Sequence, residues 1–423
     1  MKASTERSRS IIRGYKTELD LNNRQRTHCL QHAGTARFAY NWGLARRTAA
    51  YEATGETLTA IDLHKELNRL KKTDYPWMYE VSKCAPQEAL RDLDRAFADF
   101  FRRVKLKQAG KLRGKVGYPR FKSRKQGAGS FRLTGVIKVF EGHIQLPRLG
   151  MLKLKERGYL PTKDVHILSA TVSERAGRWF VSVQVEEEIP HPEPAQSVPV
   201  GVDLGINTMA TCSDGVRYEN PRSLQQAQKK LRRLQRKYAR QQKGSQNREK
   251  TRRKIARLHY RVANIRQDAL HKATSGIVAK TKPAAQRPRV VILEDLNVNG
   301  MLKNRHLARA IADVGMHEFR RQMEYKAAWN GVDIGLADRW YPSSKTCSRC
   351  GHLKNELSLS TRTYRCDACG LVMDRDLNAA RNLAKLTYTA SSAGMNACGE
   401  DVRPVHLGQP SRKQEPNSLS GLA

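Results

Sequence analysis

The chain has 423 residues, enough for two to four domains and for a core that needs no disulfides. Its 78 Lys and Arg against 40 Asp and Glu leave a formal charge of +38, which repels the compact state from itself unless a polyanion neutralises it, so nucleic acid is the expected partner. A ribosome-associated or membrane-surface protein would share that balance, but no run of about 18 apolar residues and no apolar leader after Met1 is found, so a soluble, cytoplasmic protein is expected, associated with the nucleoid when on DNA, and no membrane partner.

Residues 10–20 read as a strand. From Asn22, an N-cap candidate, Leu30, Ala33, Phe38, Trp42 and Leu44 recur at helical spacing. Helical periodicity continues through Leu63, Leu67 and Leu70, breaks around Tyr75 and Pro76, and resumes through Leu90, Leu93, Phe97, Phe100 and Phe101; these are core candidates. Between Gln108 and Gln126 lies a Gly-, Lys- and Arg-rich loop in which Tyr118 and Phe121 interleave with Arg120 and Lys122. That mixture suits phosphate contacts with base stacking beside them, although a solvated loop has the same composition.

From Ser130 to Glu188 the period becomes two. Trp179, Val181, Val183 and Val185 share one strand face after a tight turn at Ala176 and Gly177, and several such strands imply an antiparallel barrel or sheet. The stretch Ile189–Pro199 reads as an extended linker and marks the main domain boundary. Residues 222–272 carry 18 Lys and Arg against Glu249 and Asp268, with a narrow apolar stripe and a hairpin turn near Lys243–Ser245. One sign of charge dominates, so Arg232, Arg233, Arg236 and Lys237 on the first helix, and Arg253 and Lys254 on the second, are candidate phosphate contacts.

Three acids stand out. Asp203 sits in the apolar strand VPVGVDLGI, where a carboxylate is costly without a partner; Glu294 ends the apolar strand RVVIL; Asp376 opens a helix in MDRDLNAARNL. Singly, each has an ordinary explanation: turn hydrogen bonds, a strand end, an N-cap worth about 1 kcal/mol. Together they form a set able to hold two Mg²⁺ ions about 3.5 to 4 Å apart for hydrolysis of a phosphodiester. Asp374 is the chief rival for the third position, and Asp295 and Asn378 are candidate supporting groups.

Cys347 and Cys350, then Cys366 and Cys369, form two CxxC pairs with 15 residues between them, each second cysteine followed by glycine. That spacing is a four-cysteine zinc ribbon with no open coordination position, so the Zn²⁺ is expected to be structural, adding on the order of 10 kcal/mol to the folding of this segment.

These residues resemble the TnpB family, transposon-associated RNA-guided nucleases akin to the type V CRISPR effectors. The likeness runs over roughly 13–386 and rests on QHAGTARFAYNWGLA, GVDLGI around Asp203, LEDLNVNGM from Leu293, CSRCG, CDACG and DRDLNAARNL. It implies an α/β multidomain protein. A wedge β-barrel domain (1–20 and 127–192) carries an inserted helical recognition domain (21–126). An RNase H-like RuvC nuclease domain follows (193–345 and 371–388, with the basic hairpin at 222–272), then a zinc ribbon at 346–370 and a disordered tail at 389–423. It implies an RNA-guided, Mg²⁺-dependent DNA endonuclease with Asp203, Glu294 and Asp376 as catalytic metal ligands, in preference to Asp374. One protein copy is expected per guide RNA, acting on double-stranded target DNA whose sequence is chosen mainly by base pairing. A short motif beside the target is then read with the help of Lys83 and Gln87, although Pro86 between them is expected to interrupt their helix. Two rival functions share the fold. A strand-transfer transposase usually orders its acids Asp, Asp, Glu, unlike the Asp, Glu, Asp found here, and a nuclease-inactive RNA-guided DNA-binding repressor would not need all three.

Overall fold

The computed structural model describes residues 8–112, 114–124, 127–162, 165–192, 198–278, 287–358 and 360–386, and the strand 405–407. They divide into two compact units, Met1–Pro190 and His191–Ala423.

The first unit begins with β1 (Ser8–Asp20), then α1 (Asn23–Thr54), α2 (Ala60–Thr73) and α3 (Cys84–Gln108). The start of α1 is fixed by a reciprocal capping box: the Gln25 backbone N–H donates to the Asn22 side chain (2.9 Å) and the Asn22 N–H to the Gln25 side chain (3.1 Å). Ala33, Leu44, Leu63, Leu67, Leu90, Leu93 and Phe97 are buried as their spacing predicts, whereas Leu30 and Phe101 point outward. Pro86 does not interrupt α3. It falls in the first turn, where a backbone N–H has no intrahelical acceptor, so its missing donor costs nothing.

Next come β2 (Ser130–Leu133), β3 (Lys138–Val139), β4 (His143–Leu146), β5 (Gly150–Leu154), β6 (His166–Arg175) and β7 (Arg178–Pro190). With β1 they build a seven-stranded antiparallel sheet in the order β2-β6-β7-β1-β5-β4-β3, whose outer strands are not paired with each other among the described residues. The β6–β7 turn places Ala176 and Gly177 both at positive φ (56° and 81°), the backbone a two-residue hairpin requires. Trp179, Val181, Val183 and Val185 are all buried, as period two demands. The stretch expected to be extended from Ile189 onward is still strand at Ile189 and Pro190, paired with Arg9 and Ser8.

The second unit runs β8 (Val200–Asp203), β9 (Thr208–Cys212), β10 (Arg217–Glu219), α4 (Ser223–Arg240), α5 (Gln246–Val278), β11 (Val290–Glu294), α6 (Val298–Met301), α7 (Ala308–Val314), α8 (Met316–Asn330), β12 (Asp333–Ala337), β13 (Thr363–Arg365), β14 (Val372–Asp374), α9 (Arg375–Ala384) and β15 (Val405–Leu407). The tail expected to be disordered lies outside the described residues, apart from β15, which runs parallel to β12. The main sheet has the order β10-β9-β8-β11-β12-β15, with β8, β9 and β10 antiparallel and β8, β11, β12 and β15 parallel. Alternation along β11 shows how it is covered. Val291 and Leu293 join a core with residues of α5, α7 and α8, while Val290 and Ile292 pack with Leu383 of α9. A strand buried on both faces must be apolar throughout, which is why RVVIL shows no alternation.

Candidate active site

Strand register places the first two acids. Val291, Ile292 and Leu293 lie beside Val200, Gly201 and Val202 in parallel pairing, and continuing by one residue sets Glu294 beside Asp203. Neighbouring strands stand about 4.8 Å apart. Both acids fall two residues after a position that faces α9, Ile292 and Gly201, so both project on the α9 side at the carboxyl ends of adjacent parallel strands.

Asp376 comes to them on the first turn of α9. The helix begins there because Asp374, at the end of β14, caps it: its side chain accepts the Leu377 backbone N–H at 3.0 Å. Asp374 also pairs with Arg217 at 3.2 Å. The capping role that might have explained Asp376 thus belongs to its rival, and Asp376 is left to face the strand acids with Arg375 and Arg362 as counter-charges at 3.4 and 3.9 Å. Close approach of α9 to β8 requires Gly201. A Cβ there would lie 2.1 Å from the Ala380 carbonyl oxygen and 2.5 Å from the Ala384 nitrogen.

The electrostatics follow from this convergence. Burial pushes the Asp203 carboxyl well above the usual carboxylate range, the charges of Glu294, Asp376 and Asp374 push it further, and Arg375 opposes them. Burial raises Glu294 too, against the hydrogen bond from Ser343 Oγ to Glu294 Oε1 at 2.7 Å, with Asp376 adding to the rise. The triad oxygens do not all lie within 4.8 Å of one another, a spacing that among the described residues only the four cysteines meet. Asp295, next to Glu294, is differently engaged. Burial would raise it, but Arg339 and Arg320 outweigh burial and hold it below the usual range. It supports the strand end through two arginines and presents no free carboxylate.

The zinc residues are brought together. The four sulfur atoms lie within 4.8 Å of one another, with Cys347 to Cys369 and Cys350 to Cys366 at 3.6 Å. A tetrahedral ion with Zn–S bonds of about 2.3 Å sets its sulfurs about 3.8 Å apart, whereas a disulfide needs about 2.05 Å, so the chemistry and spacing of the set fit zinc. The two knuckles repeat the same bonds. Cys347 N–H donates to His352 O and Gly351 N–H to Cys347 O; Cys366 N–H donates to Leu371 O and Gly370 N–H to Cys366 O. Gly351 and Gly370 take the positive φ (78° and 68°) that each knuckle needs. Burial pushes the Cys347 thiol up, but the backbone N–H groups of Cys350 and Arg349 overcome it and bring it down to about 6.

Asn378, a candidate supporting group in the sequence, bonds the zinc-ribbon segment, while the contacts of Asn382, Ser343 and Gly201 had no signal there. Asn378, fully buried, accepts the Ser348 N–H (2.9 Å) and donates to Thr346 O (2.7 Å); Asn382 donates to Ser343 O (2.8 Å) and Thr346 O (2.6 Å). Two asparagines one helical turn apart therefore stitch α9 to the start of the zinc ribbon, so Asn378 positions the ribbon against α9. Ser343 and Gly201 were missed because a serine or glycine next to an acidic motif is unremarkable until the fold shows what it touches.

The hairpin α4–α5 turns at Gly244, and Arg232, Arg233, Arg236 and Lys237 line a groove of about 720 Å³ on α4 together with Lys229 and Arg240. On α5, Arg253 pairs with Glu249 at 3.2 Å and Lys254 is exposed. The hairpin root is clamped by buried Asp313. Its carboxylate accepts from Ser223 Oγ and the Leu224 and Gln225 backbone N–H groups, and meets Arg266 at 2.9 Å.

In the first unit, Lys83 and Gln87 do come together. They line a cavity of about 1160 Å³ with Asn68, Lys71, Gln145 and Arg148. The basic loop is less uniform than its composition suggests. Tyr118 packs edge-on against Phe97 and Phe100, with centroids at 5.4 and 5.3 Å. Lys122 turns its ammonium onto the Tyr40 ring at 3.8 Å, and its backbone is held by the Asn41 side chain. Arg120 and Phe121 remain exposed.

Residues 180–305 match a family model described as "Probable transposase", 317–383 match "Cas12f1-like, TNB domain", and 10–56 match "Helix-turn-helix domain". Residues 10–56 hold one strand and one continuous helix here. A Streptomyces pristinaespiralis protein named "Putative RNA-guided DNA endonuclease" is 37% identical over 96% of this chain and 96% of its own length. The "Putative RNA-guided DNA endonuclease InsQ" of Escherichia coli K12 is 33% identical over 96% of this chain and 98% of its own. A solved structure described as the mini-RNA-guided endonuclease CRISPR-Cas_phi3 overlays 89% of this chain and 92% of its own at 10% identity and a TM-score of 0.48. Among the described residues no helix is long and apolar enough to cross a membrane.

Proposed function

The chain belongs to the TnpB family of transposon-associated RNA-guided DNA endonucleases, and we propose that it hydrolyses guide-selected DNA at the carboxylates of Asp203, Glu294 and Asp376. The observation that carries this reading is the convergence of three acids from distant parts of the chain on one end of one sheet, with Asp203 and Glu294 raised by burial and by neighbouring acids. The charges of Asp295, Asp313 and Asp374 are answered by arginines or backbone N–H groups, whereas Asp203 and Glu294 are raised by burial beside further acids, an arrangement suited to taking up positive charge. Divalent cations such as a pair of Mg²⁺ ions, held by these side chains, would supply an activated water and stabilise the departing 3′ oxygen.

The remaining parts act around that centre. Ser343 fixes the rotamer of Glu294, Arg320 and Arg339 fix the strand end through Asp295, and the zinc ribbon fixes α9 through Asn378 and Asn382. In this reading the main sheet of the second unit is an RNase H-like nuclease core, and the seven-stranded sheet of the first is a wedge domain with α1, α2 and α3 as its recognition insert. Lys83 and Gln87 read the target-adjacent motif from their cavity, and the hairpin groove neutralises backbone phosphates. One site serves both strands in turn.

The test is Asp203→Ala in guide-loaded protein. Cleavage of a supercoiled target plasmid in Mg²⁺ is lost while target binding is retained. Undiminished cutting would refute the assignment, and joined strand-transfer products formed without RNA would favour the transposase reading instead.

A further inference from the structure

Trp340 is the most exposed large apolar side chain among the described residues, 85% accessible. It lies in the connection from β12 to the zinc ribbon, and its neighbours in that segment are pinned. Arg339 pairs with Asp295, the Tyr341 ring packs with Val290, Ile292 and Leu383, and buried Ser343 donates to Glu294. Arg339, Tyr341 and Ser343 thus engage the end of this sheet, while the Trp340 side chain lies open to solvent. The turn itself is closed by Asp338, which accepts the Trp340 N–H on its side chain (2.8 Å) and the Tyr341 N–H on its carbonyl (3.0 Å). Contacts on both sides thus fix the backbone from which the indole projects.

An exposed indole on a pinned backbone, three residues from the hydroxyl bonded to Glu294, offers an open stacking face beside the site. We propose that Trp340 is a positioning residue that stacks against an unpaired nucleobase of the DNA strand being cut, fixing the register in which the scissile phosphate meets Asp203, Glu294 and Asp376. The face of a nucleobase is available only where the duplex is open, and a site that takes one strand at a time works on such a strand. Stacking is indifferent to base identity, so the platform suits a nuclease whose sequence choice is made by pairing. This inference rests on the nuclease reading above.

The test compares Trp340→Ala, Trp340→Phe and Asp203→Ala as guide-loaded protein on a linear target duplex in Mg²⁺, with single-turnover cleavage as the readout. Trp340→Ala slows cleavage by roughly 5- to 150-fold, Trp340→Phe restores most of the rate, and Tm and RNA retention stay those of the wild type. An abasic nucleotide moved along the cut strand supplies the readout that a structural role would not move. At one position it slows the wild type as much as the alanine substitution does, and it slows Trp340→Ala no further. Trp340→Ala cutting within twofold of wild type while Asp203→Ala is dead overturns this inference alone. Loss of RNA retention in Trp340→Ala, or an equal effect of abasic sites at every position, overturns it too, and a fully active Asp203→Ala overturns the nuclease reading beneath it.

Discussion

Replacing Gly201 with alanine adds one methyl group at the point where β8 meets α9. Its Cβ would sit 2.1 Å from Ala380 O, 2.5 Å from Ala384 N and 2.8 Å from Leu383 Cβ, and two of those three atoms are helix backbone that no rotamer change can move aside. Ordinary contact begins near 3.4 Å, so α9 must withdraw from the sheet by about 1 Å, carrying Asp376 away from Asp203. Overpacking of this kind costs about 1–3 kcal/mol, which in a domain of this size lowers Tm by several degrees at about 2–4 °C per kcal/mol. The catalytic effect is larger, since a displacement of about 1 Å among reacting groups is worth about 10²-fold in rate. The assay is single-turnover cleavage of a supercoiled plasmid by guide-loaded protein, with thermal melting in parallel. Gly14→Ala is the control, because nothing lies within 4 Å of its Cβ position. Gly201→Ala cleaving within threefold of wild type with an unchanged Tm would refute the claim that this contact sets the distance between the first and third acids.

Asp203 and Glu294 hold protons in the folded protein at pH values where the unfolded chain, with carboxyls near pKa 4, has lost them. Their contribution to stability therefore falls as pH rises from about 4 through their elevated values, by about 1.4 kcal/mol for each unit of separation. In Mg²⁺-free buffer with zinc retained, Asp203→Asn should melt higher than wild type at neutral pH and converge with it in acid; equal melting at all pH values contradicts the raised carboxyl. Removing zinc, by Cys347→Ser or chelation, should abolish cleavage as the ribbon unfolds and Asn378 and Asn382 lose their partners, with elemental analysis showing one zinc per active chain; full cleavage by zinc-free protein contradicts it. Changing Arg232, Arg233, Arg236 and Lys237 together to glutamine should reduce the slope of log affinity for RNA against log salt by about 3, at about 0.7 to 0.9 per phosphate lost; an unchanged slope means the groove does not hold phosphates.

Much of the candidate site was legible because it is made of residue types that fit poorly elsewhere. An acid inside VPVGVDLGI, an acid at the end of RVVIL and four cysteines in paired spacing each conflict with the local pattern, and such conflicts mark function. The core of α1, α2, α3 and β7 was legible from period alone. What could not be read was whatever depends on which surfaces meet. Nothing around MDRDLN says that Asp374 is the cap and Asp376 the inward acid; that is decided by the exit of β14 and by Arg217 from another strand. The loop around Tyr118 reads as evenly available, yet Lys122 is spent on Tyr40 and Tyr118 on Phe97, because α1 and α3 lie beneath it.

The same logic accounts for where the zinc ribbon stands in the chain. The first two acids need little help, since strand register sets Glu294 beside Asp203. The third arrives on a helix of ten residues, too short to be stable alone, so its position must be imposed from outside. Gly201 imposes the depth of its approach, and Asn378 and Asn382 tie it to Ser343, Thr346 and Ser348, residues that enter the first cysteine knuckle or hydrogen-bond to Glu294. The four-cysteine ribbon next to the last acid thus does for α9 what hydrogen-bonded register does for the two strands: its contacts with Asn378 and Asn382 restrict where the helix can lie.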